Sequence, residues 1–190
     1  MIRLSLLALA LLLSQSGQQM LTLEIRAYRG TEDVTHETRI TVHKAGDRGQ
    51  AIARVAIGGP RTVKVPPGIY DAQAVHEQDR RVVSIRWAER LVVMPYPDEA
   101  GHHLEVINFT PGYGAIQMRA ATGQKPVVEL ALYAAGDRSL PVAPPSWHDM
   151  YALFVVPANQ YDVQIKQGAR TGWHTAVDVP LDRTRLLIVP

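Results

Sequence analysis

Residues 65–73 read Val-Pro-Pro-Gly-Ile-Tyr-Asp-Ala-Gln, and residues 156–164 read Val-Pro-Ala-Asn-Gln-Tyr-Asp-Val-Gln. Three further strings recur in the same order: residues 45–48 (Ala-Gly-Asp-Arg) at 135–138, residues 23–27 at 116–120, and residues 91–95 at 186–190. The copies are separated by 90 to 95 residues. Repeats of about 20–50 residues build solenoids and propellers, whereas this spacing is the size of a whole small domain. The sequence therefore predicts a duplicated domain.

Polar and apolar residues alternate with period two along nearly the whole chain, and no segment keeps a helical period. Gly, Pro, Asn and Asp separate the alternating runs, as expected for turns between short strands. About seven strands in about 90 residues are typical of an immunoglobulin-like sandwich. We therefore expect an all-β fold with two tandem immunoglobulin-like antiparallel β-sandwich domains. The expected strands lie near 21–27, 39–44, 51–57, 61–65, 69–76, 80–87 and 91–94, and near 114–120, 127–133, 150–156, 160–166, 171–177 and 185–189.

The first 17 residues have the pattern of a cleaved signal peptide. Arg3 precedes a block at residues 4–13 that is apolar except for Ser5 and is shorter than the ~20 residues that span a bilayer. The alternative is a buried first strand. We expect sandwich domains at 20–95 and 111–190, with a linker and linker strand at 96–110, and a periplasmic or secreted protein without a membrane span after cleavage.

Composition narrows the classes of function. The chain has 190 residues and no cysteine, which excludes disulfides, thiolate metal sites, cysteine nucleophiles and a lipidated cysteine. A formal net charge of +2 is too small to predict nucleic-acid binding.

The repeated tyrosine begins a strand directly after a Val-Pro turn. Strand alternation places Tyr70 and Tyr161 inward and the following Asp71 and Asp162 outward. Such a tyrosine commonly buries its ring and donates its hydroxyl to nearby backbone, an arrangement called a tyrosine corner.

The string Val-Pro-x-Gly-x-Tyr-Asp resembles a motif of carboxypeptidase-regulatory-like and transthyretin-like domains. The second copy departs from it, since Ala158-Asn159 replace the Pro-Gly pair. The resemblance implies a small non-catalytic sandwich that serves in binding or as a structural accessory.

We find no nucleophile elbow, P-loop or dinucleotide-binding motif, and expect no cofactor. His102 and His103 are neighbours on an expected strand, so they should project to opposite faces and not share an ion. The other histidines are scattered, and no metal site is expected. They are His36, His43, His76, His148 and His174.

Two features are candidates for partner binding. The loop at 141–150 places Trp147 and His148 behind a proline pair, and tryptophan is enriched at binding hot spots. The alternative is that Trp147 caps the second core. Arg80, Arg86 and Arg90 are candidates for a basic stripe on one strand pair, against the alternative of a solvated strand face.

The sequence thus favours an exported, non-enzymatic binding or accessory module that recognises a protein or glycan. One alternative is an enzyme with a histidine-containing site between the domains, with or without a metal, formed by His102, His103 and His148. Another is an architectural envelope subunit whose edge strands pair with neighbours.

Overall fold

The structure, a computed structural model, describes residues 19–95, 101–122 and 125–189. Within these ranges the chain forms β-strands and a 3-10 turn at Thr35–Glu37. The expected signal peptide at 1–17 and the first five residues of the expected linker, 96–100, lie outside the described residues. No helix in the described part of the chain is long and apolar enough to cross a membrane.

Two sheets form the first sandwich. In sheet I all strands are antiparallel, in the order β4-β3-β6-β7: β3 Thr38–Lys44, β4 Asp47–Val55, β6 Gly68–Gln78 and β7 Arg81–Val93. Sheet II is built on β1 Leu21–Arg29, which pairs antiparallel with β2 Glu32–Asp33 and β5 Thr62–Val65 and parallel with β8 His102–Asn108.

The second sandwich repeats this plan. In sheet III the order is β11-β12-β9-β15: β9 Tyr113–Ala120, β11 Ser146–Trp147, β12 Ala152–Pro157 and β15 Thr184–Val189. In sheet IV the order is β10-β13-β14: β10 Glu129–Ala134, β13 Gln160–Gln167 and β14 Arg170–Asp178. The predicted all-β fold of two tandem sandwiches from an internal duplication is confirmed.

The closing strands correct one of the four sequence markers. The last strand of each sandwich runs parallel to the first: β8 along β1, and β15 along β9. Residues 91–93, in contrast, end β7 and pair antiparallel with β6. The counterpart of the final strand is therefore β8, and the matching of 91–95 with 186–190 was wrong, because two apolar strand ends resemble each other without being equivalent.

Three apolar cores separate the four sheets. The first lies between sheets I and II and the second between sheets III and IV, each filled by alternate strand residues such as Leu23 and Ile40, or Met118 and Phe154. A third cluster joins the sandwiches through the outer faces of sheets II and III: Tyr28, Leu104, Val106, Ala115, Tyr151, Leu153 and Val155. Burial of each large apolar side chain contributes about 1.5–3 kcal/mol, so this contact docks the sandwiches firmly.

Both predicted tyrosine corners are present. The Tyr70 hydroxyl donates to the carbonyl oxygen of Pro66 at 2.5 Å, and the Tyr161 hydroxyl donates to that of Pro157 at 2.8 Å. Both rings lie in the cores. The repeated tyrosine is thus a structural residue in each half.

Asp71 and Asp162 lie outside the two cores, as expected, but they are buried there, since only 4% and 3% of their surfaces are exposed. Each lies at a β-bulge, opposite a non-glycine residue with positive φ, Arg90 (56°) or Ala176 (51°). Asp71 accepts from the Arg90 backbone N–H at 2.9 Å, and Asp162 accepts from that of Ala176 at 3.0 Å. The carboxylates hold these strained bulges in place.

The same carboxylates explain why Ala-Gly-Asp-Arg is repeated. Asp71 also accepts from the backbone N–H of Gly46 at 3.1 Å and faces Arg48 Nε at 3.8 Å. Asp162 accepts from Arg138 Nε at 3.0 Å. Each arginine stacks on a tryptophan: Arg48 lies 4.2 Å from the Trp87 ring centroid, and Arg138 lies 4.0 Å from that of Trp173. In each sandwich, the Ala-Gly-Asp-Arg turn and the Tyr-Asp strand are therefore joined to the bulge by the same aspartate.

Candidate functional site

Trp147 lies on the surface of the second sandwich. It belongs to the short edge strand β11, opposite Ala152 of β12, and 38% of its surface is exposed. The ammonium of Lys125 lies 5.1 Å from its ring centroid. The Trp147 ring is not part of the second core. The structure therefore favours an exposed Trp147 over one that covers the core.

A shallow groove of about 640 Å³ surrounds this ring, and we call it the Trp147 groove. Its lining consists of Lys125, Pro126, Val127, Val128, Glu129, Trp147, Lys166 and Gly168. Val127 is 87% exposed, which is unusual for a large apolar residue. The surface can therefore bury an apolar group while two ammonium groups attract negative charge nearby.

The loop that carries Trp147 is anchored at both ends. Near its start, the backbone N–H of Val142 donates to the carbonyl oxygen of Leu132 at 2.7 Å, beside a bridge between Leu132 and Ala143. After β11, the backbone N–H of His148 donates to the carbonyl oxygen of Tyr151 at 2.9 Å and closes the turn into β12. At the corresponding place in the chain the first sandwich has the full strand β4, which pairs with β3 in sheet I, whereas β11 pairs with β12 in sheet III, so the duplication has diverged here.

His148 does not share the groove with Trp147. Its half-buried imidazole faces Tyr151, with 4.8 Å between the ring centroids, in a cleft between the sandwiches. Burial, assisted by the positive charge of Arg26, lowers the pKa of His148 below its ordinary value. The ring is therefore neutral at pH 7.

The three arginines do not form the expected stripe. Arg80 has positive φ in the turn between β6 and β7. Arg86 pairs with Asp182 of the second sandwich at 2.6 Å between Nη2 and Oδ1, and Arg90 occupies the bulge beside Asp71. The expectation of one surface was wrong because a reversed turn and a bulge interrupt the alternation that would align these side chains.

The cleft between the sandwiches holds a buried polar network that the sequence did not reveal. Tyr151 donates to Glu24 Oε1 at 2.7 Å, and Arg26 Nε lies 2.7 Å from both the Tyr151 hydroxyl and Glu24 Oε1. His102 Nε2 lies 3.0 Å from Glu24 Oε2. Burial opposes ionisation of Glu24, but hydrogen bonds from His102 and Tyr151 and the charge of Arg26 lower its pKa to about 2. Glu24 is therefore a carboxylate at any physiological pH.

Two of the three candidate histidines meet in this cleft of about 470 Å³. His102 and His148 both line it, whereas His103 projects from the opposite face of β8, as expected for strand neighbours. A signal for Glu24 and Arg26 existed in the sequence. Their string recurs as Ile116-Gln117-Met118-Arg119, so the outer faces of β1 and β9 carry matching polar residues. In the described part of the chain, no group of three or more His, Asp or Glu side chains is placed to hold a metal ion.

No family model and no curated protein matches this chain. Among solved structures, the tip fimbrial protein Mfa3 from Porphyromonas gingivalis is similar over 83% of this chain and 81% of its own, with 10% identity and a TM-score of 0.33. A candidate adhesin from Bacteroides ovatus matches over 90% of both chains, with 10% identity and a TM-score of 0.30.

The Bacillus anthracis TIE protein is similar over 89% of this chain, with 13% identity and a TM-score of 0.32. The chain spans only 34%, about a third, of the length of that protein. These scores are low, so none of the three likenesses supports an inference about function.

Proposed function

We propose that this chain is an exported, non-enzymatic binding or accessory module that recognises a protein or glycan partner through the Trp147 groove. The observation that carries the proposal is the exposed Trp147 ring on an anchored loop, beside the almost fully exposed Val127. Tryptophan in a rigid setting offers a large contact area at little entropic cost.

The lining of the groove favours a protein segment over a glycan. Val127, Val128 and Pro126 add apolar surface next to the indole, and Lys125 and Lys166 flank it. An extended segment with one large apolar side chain between Asp or Glu residues would satisfy both features. A sugar ring stacked on Trp147 is the other occupant to test.

Export and domain organisation belong to the same proposal. We infer a signal peptide at 1–17, domains at 20–95 and 111–190, and a periplasmic or secreted location; the linker strand within 96–110 is β8, which completes sheet II of the first sandwich. The two tyrosine corners support the resemblance to carboxypeptidase-regulatory-like and transthyretin-like domains.

Substitution of Trp147 tests this function. Partners are captured from the envelope fraction of the source organism, identified by mass spectrometry and remeasured as purified proteins, while a glycan array covers the second class. Trp147→Ala should weaken binding at least tenfold, about 1.4 kcal/mol or more. Leu181→Ala is the matched control, because Leu181 is 57% exposed and does not line the groove. Equal binding by both variants and the unaltered protein would contradict the proposal.

An enzyme with a histidine-containing site between the sandwiches is the second candidate. The observation in its favour is the cleft where His102 and His148 meet Glu24 and Tyr151. Elemental analysis of the purified protein separates the two functions. Stoichiometric zinc or copper, lost in His102→Gln and His148→Gln, would favour the enzyme.

The exposed edge of β7 is the feature that would support the role of an architectural envelope subunit. In the described part of the chain, β7 has 13 residues and pairs only with β6, so the first part of its other edge has no strand partner, and Val82, Val83 and Ile85 there are more than half exposed. Open edges template pairing with other chains. Light scattering on the purified protein distinguishes a polymerising subunit from a monomeric binder.

A further inference from the structure

A separate cavity lies where the edges of β7, β8 and β15 meet at the junction of the sandwiches. It is partly enclosed, with a volume of about 200 Å³, and we call it the junction pocket. Leu23, Leu91 and Leu186 supply apolar walls from three different sheets. The pocket is therefore formed only when the two sandwiches are docked.

The side-chain amide of Gln117 lines the junction pocket with an unsatisfied donor. Gln117, on the outer face of β9, is 3% exposed, and its side-chain Nε2 makes no hydrogen bond to any described residue. A buried amide donor without an acceptor is costly, and such groups are few in folded proteins. An acceptor atom on a bound molecule would satisfy it.

The charges around the pocket favour an anion. Arg90 and Arg183 both line it, and the Arg183 guanidinium is held by the backbone oxygens of Glu89 and Asp182, at 2.5 and 2.9 Å. Glu105 also lines it. Burial raises the pKa of Glu105 to about 7, against the opposing effects of the Arg183 charge and hydrogen bonds from Thr184.

We propose that the junction pocket binds a small molecule with a carboxylate group and an apolar body. Its carboxylate accepts from the Gln117 amide and is attracted by Arg90 and Arg183, while the apolar body packs on the leucines. A dry apolar cavity of about 150 Å³ accommodates benzene, so a pocket of this volume has room for one ring with a carboxylate. The site is distinct from the Trp147 groove, so either proposal can fail alone.

Binding of such an anion should be coupled to protonation. The titratable or charged groups that line the pocket are His102, His103 and Glu105 on β8, Arg90 on β7 and Arg183 before β15. A ligand carboxylate is repelled by ionised Glu105 and accepted by its neutral form. Affinity should therefore rise as the pH falls below about 7.

Titration of the full chain with benzoate tests the proposal by NMR chemical shifts. We expect saturable shifts at Gln117, Leu23 and Leu186, at least tenfold weaker binding of benzamide, and several-fold tighter benzoate binding near pH 6 than near pH 8. Absence of saturation up to about 20 mM benzoate, or shifts confined to other surfaces, would overturn it.

Gln117→Leu separates binding from folding. It should weaken benzoate binding at least tenfold and raise the melting temperature of the free protein, because it removes the unpaired amide. Gln117→Met is the second variant if leucine does not fit, and Gln73→Leu on the outer face of sheet I is the matched control. Unchanged benzoate affinity in a folded Gln117 variant would contradict the assignment of this amide.

Discussion

The Tyr151 hydroxyl in the second sandwich donates to Glu24 Oε1 in the first at 2.7 Å, across 127 residues of sequence. Both groups are buried, and Arg26 contacts both. Because β1 and β12 meet through their outer faces, this bond exists only in the docked pair of sandwiches. Equivalent strands β1 and β9 lie on the two sides of the contact, as in an isologous dimer interface.

Tyr151→Phe should lower the free energy of unfolding by about 1–3 kcal/mol, since it removes a donor to a buried carboxylate. Urea unfolding followed by tryptophan fluorescence measures the change. Tyr133→Phe, on the partly exposed ring that stacks on Trp173, is the control and should change stability by less. An equal loss in both variants would show that the hydroxyl has no special role at Tyr151.

Stability should depend on pH through two carboxyls with opposite signs. The pKa of Glu24 is lowered from 4.5 to about 2, so its contribution is complete above about pH 4.5 and is lost as the pH falls towards 2. The pKa of Glu105 is raised from 4.5 to about 7, so its contribution is complete below about pH 4.5 and is lost as the pH rises through 7.

Urea unfolding across this pH range, repeated on Glu24→Gln and Glu105→Gln, tests both signs. In Glu24→Gln the free energy of unfolding should fall less as the pH drops from 4.5 to 2. In Glu105→Gln it should fall less as the pH rises through 7. If the pH dependence near pH 7 is the same in Glu105→Gln as in the unaltered protein, another group is responsible for it.

Asp71→Asn and Asp162→Asn should each lower the melting temperature. The carboxylate accepts a hydrogen bond from the bulge backbone and faces the charged arginine, and a neutral amide cannot replace it in both roles. Backbone hydrogen bonds at Arg90 and Ala176 hold the pKa of each aspartate below its ordinary value. Amide hydrogen exchange should accelerate at Arg90 or Ala176, according to the aspartate replaced. Asp79→Asn, at a positive-φ turn that asparagine tolerates, should leave both measurements unchanged.

Tyr70→Phe and Tyr161→Phe should each cost about 1 kcal/mol, the usual net value of one hydrogen bond. The two losses should add in the double variant, since the corners lie in different cores. Denaturant midpoints at constant slope provide the measurement. A loss much larger than the sum would indicate that the two corners are energetically coupled.

Arg86→Ala should have a small effect, because its ion pair with Asp182 is partly exposed to solvent. A double-mutant cycle with Asp182→Ala should give a coupling of about 0.2–1 kcal/mol that declines with added salt. Coupling that persists at high salt would mean that the pair is more buried than its exposure indicates.

The positions of some residues could be predicted from the sequence, and those of others could not. Tyr70 and Tyr161 were placed correctly because strand alternation and a preceding Val-Pro turn are local properties. Asp71 was assigned to the outer face by the same alternation, but its burial there was missed, because a bulge at Arg90 and a turn at Gly46 cover it. The Arg–Trp stacks were missed because their members are 39 and 35 residues apart and meet only through strand pairing.

The amino-acid sequence by itself determined the strands, the duplication and the inward tyrosines, since these follow from period-two alternation and from turn residues close in the chain. Only the tertiary structure decided that the sandwiches dock through equivalent faces, that Glu24 and Tyr151 meet there, and that Trp147 stays outside. Such contacts join residues far apart in sequence, and which faces pack depends on the combined surface of several strands that no local pattern encodes.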